Sequence, residues 1–274
     1  MTEGPTSGIA YLADESTALR SFSAVKRAQL IREEIRDFPQ PDPNAVIWKY
    51  LETRKFEYLL QEKALYLCQV AKLAREEPNE GVMNKFQETA MRKYFASTPE
   101  QFENCFHFYE SMRQRAWVTC FSLGGVEKAD MWREYCKQPP NEGVAIRTTY
   151  RRLRNSLGQL VSLANPYPSI AQVRYSESED LVWKLGYLLY QKLPKFSDEC
   201  EVRVCAFSPQ QQFAERTCMI ESVPLPVRLM SLVRHIYVHP RATGDYFDKI
   251  CDLIAKHLPE RQGRVCWSQL RGRL

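Results

Sequence analysis

The stretch Glu199-Cys200-Glu201-Val202-Arg203 favours a strand with two different faces. Side chains alternate along a strand, so Glu199, Glu201 and Arg203 share one face, and Cys200 and Val202 share the other. Two carboxylates and a guanidinium opposite a clean apolar face are an unusual arrangement for a short strand. If this polar face lines a cleft, it is a reactive or binding site. If it faces open water, it is an ion-pair ladder.

The composition is that of an ordinary globular protein. The chain has 274 residues, of which 44% are hydrophobic and 26% charged, so it is long enough to bury a real core in one large or two small domains. It carries nine cysteines, an odd number, and no pair has C-x-x-C spacing. This pattern is typical of reduced, buried thiols in a cytosolic protein and argues against a disulfide framework.

The sequence gives no sign of a metal site, a secretion signal or a membrane span. Of the four histidines only His235 and His239 are closely spaced, and no cysteine or carboxylate completes a zinc set beside them. The N-terminus lacks the basic start and apolar run of a signal peptide, and no stretch approaches 18 apolar residues. We therefore expect a cytoplasmic protein without a metal and without a membrane partner.

Positive charge is unevenly distributed along the chain. The net charge is +5, and arginines cluster in the middle and at the end, as Arg147, Arg151, Arg152 and Arg154, and as Arg261, Arg264, Arg271 and Arg273. Such stretches suit a polyanion or a phosphate-bearing ligand, but any one of them is more often a solvated helix face. The overall pI near 8.7 is too mild to imply nucleic-acid binding by itself.

The order of the predicted elements indicates two segments. Residues 1–43 are predicted to be a flexible lead followed by an amphipathic helix from Asp14 to about Phe38, which a run of prolines ends. Residues 44–274 intersperse strands and helices without the regular alternation of a doubly wound sheet. We predict a single mixed α+β domain with a central, mostly antiparallel sheet and helical insertions.

Several segments of the sequence predict particular elements. We expect a strand over 199–207, helices over about 81–95 and 99–113, and a short helix over about 128–136. Thr98 is predicted to cap the second of these helices, because Pro99 follows it and Gln101 lies three residues further on.

A series of short motifs, in this order and spacing, resembles a family of bacterial and phage proteins known as domain of unknown function 2971. The resemblance covers about residues 46–270, and the chain departs from the family at 75–81, where an Asn-Asp-Pro-Phe-like turn is usual. The motifs are Trp48-Lys49-Tyr50, Leu65-Tyr66-Leu67, Cys120-Phe121-Ser122, Met131-Trp132-Arg133-Glu134-Tyr135, Gly143-Val144-Ala145-Ile146, Lys192 and Glu199-Cys200-Glu201-Val202-Arg203.

A more distant similarity in strand order links the chain to ADP-ribosyltransferase-like folds, which include toxins of bacterial conflict systems. It implies NAD as the ligand and a toxin or phage-defence effector as the biological role. The implied catalytic residues are Glu201, with Glu199 activating an acceptor and Ser122 supporting the ribose or bracing Glu201. The implied NAD-binding residues are Lys49 and Arg203 for the pyrophosphate, and Tyr50, Trp132 and Tyr135 for stacking on a base or on nicotinamide.

Two other classes of function stay open at this point. A non-catalytic module that binds nucleic acid or a nucleotide would use the arginines and the abundant aromatic residues. A protein-interaction domain would use Glu199, Glu201 and Arg203 as buried or cross-strand ion pairs that maintain the fold. Trp132 and Tyr135 lie three residues apart on one helical face and also fit core packing. The acceptor, whether nucleic acid or protein, and the oligomeric state stay open.

Overall fold

A computed structural model describes residues 38–75, 77–78, 80–137, 141–157, 167–176, 185–207 and 221–273. The predicted helix from Asp14 to about Phe38 lies outside this range, except for Phe38 itself. The strands are β1 (Val46–Leu51), β2 (Ala64–Gln69), β3 (Ala116–Leu123), β4 (Val144–Thr149), β5 (Tyr167–Gln172), β6 (Arg174–Tyr175), β7 (Gln191–Lys192), β8 (Glu201–Phe207), β9 (Ser222–Pro226), β10 (His235–Val238) and β11 (Val265–Trp267).

Helices occupy most of the connections between these strands. Two 3-10 helices, Pro194–Glu199 and Pro259–Arg264, precede β8 and β11. The α-helices are α1 (Thr53–Glu62), α2 (Val70–Leu73), α3 (Lys85–Tyr94), α4 (Pro99–Arg115), α5 (Ala129–Tyr135), α6 (Tyr150–Leu157), α7 (Leu185–Tyr190), α8 (Leu229–Leu232) and α9 (Gly244–His257).

Strand β3 pairs with three other strands of the main sheet, β1, β2 and β8. One edge of β3 pairs with β8 from Ala116 to Ser122, and β8 pairs in turn with β5. The other edge is shared, because β1 pairs with its end and β2 with its beginning. From β1 the sheet continues through β4 and β10 to β11, and β9 flanks β2. Only the pairing of β10 with β11 is parallel among the described residues of this sheet, so the predicted α+β class with a mostly antiparallel sheet is confirmed.

One face of the sheet is mainly apolar and carries the larger core, with Thr119 and Thr148 as buried polar residues on it. Val202, Val204 and Ala206 of β8 point into it, as the alternation along the strand requires. Helix α9 packs against this face through Ile250 and Ile254, which lie four residues apart and so share one side of the helix. The other residues of β8 therefore point to the opposite face.

That opposite face carries two smaller apolar clusters and the charged residues of β8. One cluster surrounds Trp48, Tyr50 and Trp132, and the other joins α3, α4 and α7 to β3. Glu201 and Arg203 project from the same face and are almost fully buried. The polar side of the strand therefore does not face open water.

The predicted strand over 199–207 starts two residues later than expected. Pro194 begins a 3-10 helix that runs to Glu199, and Cys200 then adopts a left-handed conformation with φ 48° and ψ 55°. The prediction that Glu199 lies on the strand was therefore wrong. Alternation did not reveal this, because one residue in a left-handed turn interrupts the period of two without changing the residue pattern.

The helix ends also differ from the sequence-based expectation at one cap. Helix α4 begins after Thr98, as predicted, but the Thr98 hydroxyl accepts no capping hydrogen bond. A capping box is present instead at α3, where Asn84 and Gln87 exchange side-chain to backbone hydrogen bonds of 2.8 and 2.9 Å.

Two expectations about chemistry and environment can be compared with the described residues. Seven of the cysteines there are free thiols: Cys68, Cys120, Cys136, Cys200, Cys205, Cys251 and Cys266. None of the helices in the described part of the chain is both long and apolar enough to cross a lipid bilayer.

Candidate functional site

Residues from three separate parts of the sequence form a row across the sheet. Glu201 of β8 lies directly opposite Ser122 of β3, and Ser122 lies opposite Trp48 of β1. Directly paired residues of neighbouring strands point to the same face. The acidic motif, the Cys-Phe-Ser motif and the first strand motif are therefore neighbours on the face that carries the charged residues.

Strands β1 and β2 diverge beside this row. The β1 pairing covers Ser122 and Leu123, and the β2 pairing covers Trp117 and Val118, which leaves residues 119–121 of β3 without a strand on that edge. The ammonium group of Lys49 fills part of the interval, because Lys49 Nζ donates to Cys120 O at 2.9 Å. Burial lowers the pKa of Lys49 to about 8. The split in the sheet therefore holds a lysine that is unusually easy to deprotonate.

A small recess opens where these elements meet. Its free volume is about 10 Å³, which is room for about one water molecule. Helix α5 closes one side of it with Met131 and Tyr135. The lining residues are Trp48, Lys49, Tyr50, Cys120, Phe121, Ser122, Met131, Tyr135, Glu199 and Glu201.

Behind the recess lies a buried network of ion pairs centred on Arg203. Its guanidinium binds Glu80 with two nitrogens, at 2.5 and 3.0 Å, and Glu201 with Nε at 2.7 Å. It also donates to Leu189 O at 2.8 Å. Arg203 is only 1% exposed, so every charge that meets it is held away from water. Such a guanidinium stays in the interior only because its donors are satisfied.

Lys192 is the second cation of the network. Its Nζ lies 2.7 Å from Glu199 and 3.0 Å from Glu77, and it is also within 4 Å of Glu80 and Glu201. Burial alone would lower the pKa of Lys192, but the neighbouring carboxylates outweigh burial and raise it. Two cations thus face four carboxylates, which leaves the network with an excess of negative groups.

The pKa values of the two carboxylates of the Glu-x-Glu motif are shifted in opposite directions. Burial alone would raise the pKa of Glu201, but Arg203 and Lys192 outweigh it, so the pKa is lowered and the group is ionised at neutral pH. The pKa of Glu199 is raised, first by burial and then by the charge of Glu201, against the effect of Lys192. One group is therefore held as an anion, and its neighbour takes up a proton more readily than an ordinary glutamate.

Backbone contacts fix the position of Glu199. The Ser122 hydroxyl donates to Glu199 O at 3.1 Å, and Lys128 Nζ donates to Asp198 O at 2.6 Å. The amide of Glu201 donates to the Tyr175 hydroxyl at 2.8 Å. Ser122 thus braces the turn that carries Glu199, while the Glu201 carboxylate itself is oriented by Arg203.

Both predicted tyrosines, Tyr50 and Tyr135, line the recess. The Tyr50 hydroxyl accepts from the amide of Lys128 at 2.9 Å, and Tyr135 remains 38% exposed. Burial of the Tyr135 hydroxyl raises its pKa well above the usual value, and Cys120 and Glu201 add to this. Both tyrosines therefore line the recess as neutral phenols.

Six of the eight predicted site residues surround this recess, and two do not. The six are Lys49, Tyr50, Ser122, Tyr135, Glu199 and Glu201. Trp132 is fully buried behind Tyr50, where its indole donates to Glu127 at 3.1 Å. Arg203 is enclosed by the ion-pair network. Neither residue lines the recess, and each contacts a residue that does, Trp132 with Tyr50 and Arg203 with Glu201.

Sequence reasoning missed the partners that enclose Arg203. Glu80 and Glu77 lie in the segment 75–81, where the chain departs from the resembled family. Lys192 was noted as part of the resemblance, without a role. Two acidic residues three positions apart in that segment were the available signal, but nothing local shows that they fold over a distant arginine.

The described residues contain no group of three or more histidine, cysteine, aspartate or glutamate side chains placed to hold a metal ion. Comparison of the chain with family models, with curated proteins and with solved structures finds no match. The site is therefore interpreted from its own geometry.

Proposed function

We propose that this chain is an ADP-ribosyltransferase-like or NAD-glycohydrolase-like enzyme with Glu201 as its catalytic carboxylate. The observation that carries the proposal is the meeting of Glu201, Glu199, Ser122 and Lys49 at one recess where the sheet splits. These residues come from three distant parts of the sequence. A role in stability alone would not require all of them to line the same cavity.

Cleavage of the bond between ribose and nicotinamide is favoured by a carboxylate that stays ionised beside the ribose. When the bond between the ribose C1′ and the nicotinamide nitrogen breaks, the electron pair leaves with nicotinamide and positive charge builds on the ribose. An anion held in a buried site stabilises that charge more strongly than one in water. The lowered pKa of Glu201 supports this role.

The second half of the reaction needs an oxygen nucleophile and a base. Water or an acceptor hydroxyl forms the new bond to C1′ and loses a proton. Glu199 is suited to take that proton, because its raised pKa brings it closer to neutrality. Lys49 at the sheet split supplies a positive charge for a phosphate oxygen of NAD.

The recess must become larger before the protein can perform this function. A volume sufficient for about one water does not admit a nicotinamide riboside, and ligand sites usually span several hundred Å³. The side chains of Met131 and Tyr135 on α5 must therefore move before NAD can bind. Tyr135 is partly exposed, so its ring can swing outward without exposing the core.

The test compares two glutamates that bind the same arginine. Purified protein is incubated with NAD, with and without cell lysate as a source of acceptor, and NAD and nicotinamide are measured. We expect NAD consumption that falls about a hundredfold or more in Glu201→Gln. Glu80→Gln is the matched control, because Glu80 also pairs with Arg203 but does not line the recess.

Two results would count against the proposal. Wild-type protein that leaves NAD unchanged under both conditions overturns it. Equal loss of activity in Glu201→Gln and Glu80→Gln assigns the effect to the ion-pair network and removes the catalytic role of Glu201. Melting temperatures of both variants, measured beside the activity, show whether each retains the fold.

A second candidate is a non-catalytic interaction domain, and the closed ion-pair network favours it. Both oxygens of Glu201 already have cationic neighbours, Arg203 at 2.7 Å and Lys192 at 3.7 Å. In that case Glu201→Gln lowers stability, and NAD does not raise the melting temperature of the wild-type protein at any concentration.

A further inference from the structure

Five arginines converge at the edge of the sheet formed by β4, β10 and β11. They come from four elements or connections that are far apart in the sequence. The cluster, called the arginine cluster below, consists of Arg147 on β4, Arg152 on α6, Arg234 before β10, and Arg261 and Arg264 on the 3-10 helix before β11.

Two of these guanidinium groups meet at a single atom. Arg152 Nη2 donates to Met230 O at 2.6 Å, and Arg261 Nη2 donates to the same oxygen at 3.0 Å. Like charges repel at such a separation unless an anion or solvent compensates them. The shared carbonyl holds the two groups in place but neutralises neither.

The remaining members surround His235 at the sheet edge. His235 lies directly opposite Arg147, and Arg264 immediately precedes Val265, which pairs with the residue after His235. Burial lowers the pKa of His235, and Arg234, Arg147, Arg264 and Arg261 lower it further. The imidazole is therefore neutral at pH 7, in a strongly positive surrounding.

The cluster has no negative partner among the described residues. None of its five arginines forms an ion pair there, and Glu260, the adjacent carboxylate in the sequence, is exposed and unpaired with them. Two buried nitrogens of the cluster, Arg152 Nε and Arg261 Nε, also have no hydrogen-bond partner among the described residues, and neither does Nδ1 of the neighbouring His235. Buried polar groups without partners are rare and point to a missing ligand or water.

We propose that the arginine cluster binds a phosphate group, carried either by a nucleic-acid strand or by a free nucleotide. Guanidinium groups bind phosphate oxygens through paired hydrogen bonds, and several of them together suit a multiply charged anion. This inference does not depend on the proposed enzymatic function. The two sites adjoin, because the Arg147 guanidinium lies 5.8 Å from the ring centre of Trp48, which lines the recess.

The test measures binding of a labelled single-stranded oligonucleotide by fluorescence anisotropy over a range of salt concentrations. The variant is Arg234→Gln with Arg264→Gln, since both side chains are exposed and donate no hydrogen bond among the described residues, so the fold should persist. On a single strand each phosphate contact contributes about 0.7 to the slope of the log–log dependence of affinity on salt. We expect the magnitude of the slope to fall by about 1.4 in the double variant, which removes two such contacts.

The matched control removes two positive charges near the other end of the sheet. Arg92→Gln with Lys93→Gln lies in the last turn of α3, which packs in the cluster around α4 and α7. The control should bind the oligonucleotide with the wild-type salt slope. Equal weakening in both double variants would mean that overall charge alone attracts the strand, and this would overturn the proposal.

A second arm distinguishes the source of the phosphate. Inorganic pyrophosphate is titrated into wild-type protein and both double variants by calorimetry. Oligonucleotide binding that depends on the cluster assigns a nucleic-acid strand, whereas pyrophosphate binding alone, lost in Arg234→Gln with Arg264→Gln, assigns a free nucleotide. Failure of wild-type protein to bind either probe at low salt overturns the proposal.

Discussion

The ion-pair network around Arg203 and the arginine cluster towards the other end of the sheet differ in how their charges are compensated. In the network, Arg203 and Lys192 are surrounded by carboxylates that come from distant segments. In the cluster, two guanidinium groups share one carbonyl oxygen and no carboxylate neutralises them in the described part of the chain. A charge with internal partners positions other residues, whereas a charge without them is available to a ligand.

The largest expected effect comes from removing the centre of the network. Arg203→Leu leaves Glu80 and Glu201 buried without their main cation, and breaking a buried pair in this way costs about 3 to 5 kcal/mol. Urea unfolding followed by circular dichroism measures the loss. Arg133→Gln, which breaks an exposed pair with Asp130, is the control and should cost less than about 1 kcal/mol.

A small loss of stability in Arg203→Leu would show that the network does not differ from an exposed ion pair. If the free energy of unfolding fell by no more than in Arg133→Gln, the carboxylates around Arg203 would be solvated as on a surface. The network could then not hold Glu201 as a buried anion, and the argument for its catalytic role would lose its electrostatic basis.

The next effect concerns the lysine at the sheet split and appears at alkaline pH. The pKa of Lys49 is about 8 in the folded chain, below its ordinary value of 10.5, so between these values the unfolded chain binds more protons than the folded one. Stability attributable to Lys49 therefore rises as pH increases from 8 towards 10.5. The change is at most about 3 kcal/mol, since one pKa unit corresponds to about 1.4 kcal/mol.

Lys49→Met should abolish this rise. The measurement is the difference in unfolding free energy between wild type and Lys49→Met at pH 7.5 and at higher pH, with each protein compared with itself. Lys249→Met on α9 is a control, because Lys249 is an exposed lysine that pairs with Glu57. Parallel curves for wild type and Lys49→Met would show that the ammonium group is solvated despite its position.

A smaller effect on stability is expected at acid pH, because the pKa values of Glu201 and Glu199 are shifted in opposite directions. The lowered pKa of Glu201 contributes stability above the ordinary glutamate pKa, and this contribution is lost as pH falls through the folded pKa. The raised pKa of Glu199 acts in the other direction, so stability attributable to it increases as pH falls. The two contributions partly cancel in the wild-type protein.

Single substitutions separate these two contributions. Glu201→Gln should lose stability less steeply than wild type below the ordinary glutamate pKa, and Glu199→Gln should lose it more steeply. Unfolding free energies measured from neutral to acid pH test both. If the two variants followed the same curve, the pKa values of the two carboxylates would not be shifted in opposite directions. The assignment of Glu201 as the anion and Glu199 as the base would then be wrong.

The sequence was sufficient to bring the acidic strand, Ser122 and Lys49 to one place. The period of two assigns Glu201 and Arg203 to one face, and the predicted site grouped Ser122 and Lys49 with them. Pairing of β8 with β3 and of β3 with β1 then makes Glu201, Ser122 and Trp48 direct neighbours. These features depend on local alternation and strand order, which a sequence pattern can carry.

The enclosure of Arg203 could not be predicted in the same way. Whether a polar face meets water or an ion pair depends on what folds over it, and Glu80 reaches Arg203 across 123 positions of the chain. The meeting of Arg152 with Arg261 is equally non-local, although both arginines were recognised as members of basic stretches. Composition indicated an excess of positive charge but not which arginines lack partners.

The smallest expected effect is a gain in stability, opposite in sign to the loss expected for Arg203→Leu. Arg234→Gln with Arg264→Gln removes like charges from the arginine cluster without breaking a described hydrogen bond, so the free energy of unfolding should rise by a few tenths of a kcal/mol. Thermal unfolding at low salt measures it. Added pyrophosphate should raise the melting temperature of wild type more than that of the double variant, because a bound anion relieves the same repulsion. Destabilisation by the double substitution would mean that these arginines have internal partners, and the difference between the two regions would disappear.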